Sequence, residues 1–312
     1  MSEYILSIEP VRKGGKLRPL NVHTTPGTVV QSIVTAYAEK MKLDPNRIYL
    51  TIPTKPKAKK LNYDLSLEAN GIKFDSDGSF VVKVKDLGPQ ISWRLVYVIE
   101  YFGGIFIPAI FYFFVYDPHS MTRVQIACFW MLLLHFFKRE YETLFVHQFS
   151  LSTMPFAYVF RNSAHYWILG ALNISFAIFS QNNYTSGWKK WFFHVAEPSD
   201  LSLFSLVAFW VIAQQSNYRT HVILSELRSD GSKERKIPFG FGFDMVSFPN
   251  YFYESMGWLS FAMLNNNWSS WLFWIVGTGQ MYIWAVKKHN RYRKDFGERY
   301  PKNRKAMFPY LL

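Results

Sequence analysis

From Ile91 onward the chain changes to long apolar segments, and their length constrains its fold more than any other feature. A helix crosses about 30 Å of hydrocarbon with roughly 20 residues. Residues 91–116, 164–180, 239–264 and 268–286 meet or approach that length, whereas 124–137 and 201–215 are short and their ends uncertain. Residues 144–160 carry His147, Gln148, several hydroxyls and Pro155, which suits a bent interfacial segment better than a lipid-facing one. Six spans are expected.

Charge placement sets their orientation. Lys83, Lys85 and Arg94 precede the first span, and Lys287, Lys288, Arg291, Arg293, Lys294, Arg299, Lys302, Arg304 and Lys305 follow the last. Basic flanks stay in the cytosol, so both termini are expected there. The same topology puts Lys138-Arg139 and the stretch from Asn217 to Lys236 on the cytosolic side, with the loops near Asn183 and Asn267 in the lumen. Asn183-Tyr-Thr and Asn267-Trp-Ser are formal glycosylation acceptors, expected to lie too close to the bilayer for use. The opening residues have no basic segment followed by an apolar core, so insertion is expected to use an internal span. The net charge of +13 suits anionic lipid. Nucleic acid is not an expected partner, because the basic residues flank apolar runs and do not interleave with aromatics on one soluble face.

Composition then divides the chain. It is 49% hydrophobic and 19% aromatic, yet its mean hydropathy is near zero, so a polar part must balance the apolar one. That part is residues 1–86. YILSIEPV and KLRPLNVH alternate like two strands around Gly14-Gly15, and Val30, Ile33, Val34, Tyr37, Ala38 and Met41 share one helical face. RIYLTIP and SFVVKVK supply later strands. This order predicts an α+β, ubiquitin-like β-grasp module, with the basic run from Lys55 to Lys60 as a solvated loop. Residues 87–312 form the helical membrane part. The single cysteine, Cys128, sits in an apolar run and reads as a core residue.

No GxGxxG is present, and Gly240-Phe-Gly242 reads as a bend entering a helix rather than a dinucleotide turn. The eight histidines show no HxxxH or HxxHH spacing, so no metal centre is expected. What remains is polarity inside apolar helices. A carboxylate such as Glu100 costs about 2.5 to 3.5 kcal/mol at the bilayer centre, so it should face a protein cavity, as a functional group or as partner to a cation such as Arg94. Pro249, Asn250, Tyr251, Tyr253 and Glu254 together predict a second polar cavity wall, on a helix bent by the proline.

The segments DLGPQISWRLVYVIEY, ETLFVHQFS followed by TMP, NYRTHVILSELR, FPNYFYE, QMYIWAVKKHNRYRKDF and YPKNRKAMFPYLL closely resemble very-long-chain trans-2-enoyl-CoA reductases of the steroid 5-alpha-reductase superfamily. The resemblance spans essentially the whole chain. It implies a multi-span reductase of the endoplasmic reticulum membrane, with six or possibly seven helices, that uses NADPH on a long-chain trans-2-enoyl-CoA beside other fatty-acid elongase components. By the same resemblance, the catalytic glutamate and tyrosine match Glu100 and Tyr251. Positions that surround NADPH match Arg139, Asn217, Arg228, Asn250, Glu254 and Tyr292, with Lys236 and Arg304 as further basic positions on the cofactor side. His221 stands where steroid reductases have an aspartate, and Phe136 where many relatives have a tyrosine, which shifts the catalytic role to Tyr251. Hydride addition at the β-carbon builds enolate charge, and a phenol, with a reference pKa of about 10, can stabilise that charge or donate a proton at neutral pH. Glu100 and Tyr251, expected at matching depths from the cytosolic face, would form one unit. Two other functions fit parts of this pattern: a membrane reductase of a steroid or polyprenol, and a non-catalytic scaffold recruiting partners through the β-grasp module.

The charge map makes one test direct. Tags at either terminus should be digested by protease added to sealed microsomes, while protection of either tag would invert the topology.

Overall fold

The computed structural model describes residues 4–12, 15–54, 58–149, 151–180, 186–228 and 235–311. They fall into two units, Met1–Ser92 with Thr153–Tyr158, and Trp93–Ser152 with Val159–Leu312. Gly14, Lys55 and Asn183, singled out in the sequence, lie outside the described residues.

In the first unit, β1 (Tyr4–Pro10), β2 (Leu20–Thr24), α1 (Val30–Lys40), β3 (Ile48–Ile52), β4 (Lys59–Lys60) and β5 (Ser79–Asp86) build one sheet in the order β2-β1-β5-β3-β4. β1 runs antiparallel to β2, with Tyr4 opposite Thr24, and parallel to β5, with Ile5 opposite Ser79. First and last strands paired in parallel at the centre, with a helix between them in sequence, are the β-grasp arrangement. Alternation decides the faces: Leu6, Ile8, Leu50, Val82 and Val84 are buried. Against them α1 lays Val30, Ile33, Val34, Tyr37 and Ala38, the spacing of one helical face. Each such side chain contributes about 1.5 to 3 kcal/mol on burial. Lys59 and Lys60 are not loop but a short edge strand paired with Thr51 and Ile52; charged lysines there deter pairing with a further chain. A separate ribbon joins β6 (Gln90–Ser92) to β7 (Thr153–Pro155).

The second unit is helical: α2 (Trp93–Ile110), α3 (Arg123–Tyr141), α4 (Ala157–Ser163), α5 (Asn173–Ile178), α6 (Gly187–Phe192), α7 (Asp200–Glu226), α8 (Pro249–Asn265) and α9 (Trp268–Phe296). Widened π turns extend α2 through Phe111–Val115, and similar turns form Ala164–Leu172 before α5. Among the described residues one helical segment, Trp93–Val115, is long and apolar enough to cross a membrane by length and composition. The other expected spans are short, wound in separate pieces or more polar. Two helices run past their expected ends: α7, expected to stop at Gln215, runs on to Glu226, and α9, expected to stop at Val286, runs on to Phe296. The core packs Tyr101, Phe129, Phe136, Ile174, Trp258, Phe261 and Phe273 between helices. Asn267 caps α9, accepting from the Ser269 amide at 2.9 Å, and donates to the Phe192 and His194 carbonyls. Its amide nitrogen is thus engaged and buried in the folded chain.

The segment expected to be a span from Phe239 is corrected most. Residues 239–248 are not helical, and α8 starts at Pro249. Gly240 and Gly242 have φ of 87° and 77°, outside the helical region. Pro249 opens the helix instead of bending it, where its missing N–H costs nothing. The non-helical backbone is satisfied by the C-terminal segment: the Ser247 and Phe248 amides donate to the Lys305 and Ala306 carbonyls at 2.8 and 3.1 Å, and the Lys305 amide returns to Met245 at 3.2 Å.

In the first unit, Arg47 grips Asp86 with two bonds of 3.0 and 2.6 Å, and the guanidinium holds that carboxyl below the usual carboxylate range. A depressed folded-state pKa stabilises above the unfolded value, near 3.9, and that contribution disappears as pH falls through the folded value. Asp86→Asn should therefore lower hydrogen-exchange protection of the β3 and β5 amides about fivefold at pH 7, for roughly 1 kcal/mol. The difference should vanish in strong acid.

Candidate active site

The end of α3 presents Lys138 and Arg139, and one turn on, Glu142 is wholly buried. A buried carboxylate must be matched, and its spacing brings both cations to it. Lys138 Nζ lies 3.0 Å from Glu142 Oε1, and Arg139 pairs with Oε2. His221 on α7 places Nδ1 3.0 Å from the same oxygen, and Arg139 Nη2 donates to the Tyr101 hydroxyl of α2 at 2.7 Å. Lys138 also donates to Asn217 Oδ1, whose amide donates onward to the Asn250 carbonyl in α8 at 2.8 Å. Burial alone would raise the Glu142 carboxyl, but Arg139 and His221 more than offset it and leave it well below the carboxylate range. His147 is lowered by burial first and by Arg139 second. Glu142, His147 and His221 bring possible metal-ligand atoms within 4.8 Å of one another. With Arg139 Nη1 3.1 Å from His221 Nδ1 and both carboxylate oxygens facing cations, these atoms belong to one ion cluster.

The expected catalytic pair is placed differently from its sequence estimate. Glu100 is buried and accepts from Asn162 Nδ2 at 2.7 Å. Tyr251 accepts from Lys288 Nζ at 2.8 Å. Their hydrogen-bond partners differ, although Tyr97 lies within electrostatic range of both. The start expected for α8 is corrected from near Phe241 to Pro249: Glu100 is the eighth residue of α2 and Tyr251 the third of α8, roughly 10 and 3 Å along their helices. Glu254 meets His135 Nε2 at 3.3 Å and Trp258 Nε1 at 3.2 Å, in a wall completed by Gln214. Phe136 packs on Gly104, where an added Cβ would meet its ring at 2.3 Å.

A third group lies where α9 meets the C-terminal segment. Tyr292 stacks with Phe248 and Tyr300 at ring distances of 5.9 and 5.6 Å, and Arg228, Arg235 and Arg304 all lie within its electrostatic range. Arg228 donates to the Gln148 carbonyl at 2.8 Å. Arg304 is 3% exposed, with its guanidinium 4.7 Å from the Phe239 ring, and its Nε and Nη1 have no hydrogen-bond partner among the described residues. Neither does the buried Oδ1 of Asn250. Lys236 is exposed on the segment that carries Arg235. Sequence reasoning missed Glu142, Arg235 and Lys288. Only the i, i+3 and i, i+4 spacing of Glu142 after Arg139 and Lys138 was a usable signal.

Residues 152–312 match the family described as 3-oxo-5-alpha-steroid 4-dehydrogenase. The chain is 38% identical over 320 residues to the very-long-chain enoyl-CoA reductase of Dictyostelium discoideum, covering 99% of this chain and 100% of that one. It is 29% identical to the trans-2,3-enoyl-CoA reductase-like protein of Mus musculus, over 73% of this chain and 63% of that one. Among solved structures, a ubiquitin of Caldiarchaeum subterraneum aligns with 28% of this chain and all of its own, at 26% identity and a TM-score of 0.22.

Removing one partner from a buried ion cluster strands the others, which costs about 3 to 5 kcal/mol. Glu142→Ala should therefore lower the thermal midpoint in detergent sharply, by more than Glu254→Ala at the less charged wall. Equal midpoints would show that the cluster does not hold the helices.

Proposed function

The chain belongs to the 3-oxo-5-alpha-steroid 4-dehydrogenase family, among its very-long-chain enoyl-CoA reductases, and from that premise we propose that it reduces the 2,3 double bond of a long-chain trans-2-enoyl-CoA with NADPH, in fatty-acid elongation. It is an oxidoreductase that needs a nicotinamide cofactor. The observation that carries the reading is Tyr251: a phenol in the first turn of α8, hydrogen-bonded by a lysine and three residues from Phe248, which stacks on the arginine-ringed Tyr292.

The residues fit a phosphate-bearing cofactor. A buried guanidinium with two nitrogens that have no partner among the described residues is costly unless an acceptor meets it, and phosphate oxygens match its fork. Arg304, Arg228, Tyr292 and Asn250 would hold NADPH, with Lys236 at the rim. Arg139, Asn217, His221 and Glu254 fix the helices that frame it. Bound there, the cofactor supplies hydride for the β-carbon. Tyr251 supplies the proton for the α-carbon and, until it does, donates a hydrogen bond to the thioester oxygen on which enolate charge grows. Glu100, held by Asn162, sets the charge across Tyr97 from the phenol.

The same reading seats the protein in the endoplasmic reticulum membrane as a multi-span chain, with residues 1–86 and both termini in the cytosol and other elongase components as partners. Support comes from large apolar side chains left exposed on the helices, among them Phe114, Phe145, Phe160, Leu201 and Phe204, more than a water-facing surface carries.

Purified protein should oxidise NADPH with trans-2-enoyl-CoA and not with an enone steroid; the reverse preference would overturn the substrate assignment. Tyr251→Phe should lower kcat about 10² to 10⁴-fold with normal yield of folded protein. Arg304→Gln should raise the KM for NADPH about tenfold or more, as expected for a lost charge-assisted bond, and leave that for acyl-CoA near its original value.

A further inference from the structure

Each reduction consumes one proton beyond the hydride, so a tyrosine that supplies it must be reprotonated before the next turnover. Among the described residues Tyr251 has one side-chain hydrogen-bond donor, Lys288, at 2.8 Å. Lys288 is exposed whereas Tyr251 is half-buried, so the lysine links the phenol to water. Its place is built and not incidental. The ammonium lies 5.2 Å from the Tyr251 ring centroid and 5.6 Å from that of Phe248, and Trp284, one turn earlier on α9, flanks the same phenol at 6.5 Å. Among the described residues no carboxylate pairs with Lys288, which leaves its donors to the phenol. The neighbouring titratable groups are committed elsewhere: His289 Nδ1 meets the Ser247 hydroxyl at 2.6 Å, and Glu100 is held by Asn162.

We propose that Lys288 is the positioning and proton-supplying residue for Tyr251. The inference rests on Tyr251 being the proton donor. The Tyr251 O–H bond breaks as the C–H bond forms at the α-carbon, and the phenolate oxygen takes a proton from the Lys288 ammonium. The neutral amine then takes one from water at the surface, so that hydride and proton are both accounted for and the enzyme returns to its starting state. Two functions follow for one side chain, and they are separable. Arginine at 288 can hold the phenol but does not give up a proton; methionine does neither.

The test compares first-turnover hydride transfer with steady-state turnover at saturating NADPH, in the full-length protein with folding checked by size exclusion. Lys288→Met should lower steady-state kcat about tenfold or more, with both KM values changed less than about threefold. Lys288→Arg should keep a near-normal first turnover and a slow steady state. Lys288→Ala should regain steady-state turnover when methylammonium is added. Three results would overturn the inference in distinguishable ways. Near-normal turnover in Tyr251→Phe removes the proton donor itself and so the reading beneath. An inactive Tyr251→Phe beside an unaffected Lys288→Met removes only the lysine. Loss in Lys288→Ala that methylammonium does not restore, together with an equally slow first turnover in Lys288→Arg, makes Lys288 a structural contact only.

Discussion

A carboxylate with no exposure to water is the constraint around which the helical unit is arranged. Glu142 cannot be buried unless positive charge comes with it, and Lys138 and Arg139 are delivered by its own helix. Those two cations retain donors to satisfy, and they do so outside α3, on Tyr101 of α2 and Asn217 of α7. Asn217 passes the constraint to the first turn of α8 through the Asn250 carbonyl. Four helices are thereby registered against one another by polar contacts with defined geometry. A buried ion cluster of this kind adds little net stability compared with an apolar core, and its value lies in the single arrangement it permits.

That arrangement ends at Tyr251, the next residue after Asn250. Positive-φ glycines and a proline at the first helical position prevent the preceding segment from becoming helix. The phenol therefore stands at the mouth of α8 and not in its middle. A donor at a helix mouth can be served from the surface, which is where α9 brings its lysine. The aromatic stack from Phe248 through Tyr292 to Tyr300 links the same mouth to the arginines.

The fold was legible wherever one local pattern decided it. Alternation marked β1 and β5, and a 3.6-residue face marked α1. The site was legible by residue type, because Glu100, Asn250 and Glu254 stand out against apolar neighbours, and family motifs supplied roles for Arg228, Tyr292 and Arg304. Illegible features depended on distant partners. Lys288 is one of many cations in a basic run, and nothing local shows that its ammonium meets a phenol 37 residues away. Glu142 resembles an ordinary solvated glutamate after Lys-Arg until the packing of α7 covers it. The true start of α8 was hidden because residues 239–248 are apolar enough to read as membrane helix, while their glycine backbone and the strand-like partner at Lys305 dictate otherwise.

That partner has a temporal meaning. Backbone pairing between 245–248 and 305–306 joins segments synthesised before and after α9, so the mouth of α8 is closed only after every helix of the unit has left the ribosome. Arg304, a buried guanidinium, arrives with the same segment. A nascent chain halted in α9 consequently lacks both the backbone pairing that closes the mouth of α8 and the buried guanidinium that comes with it.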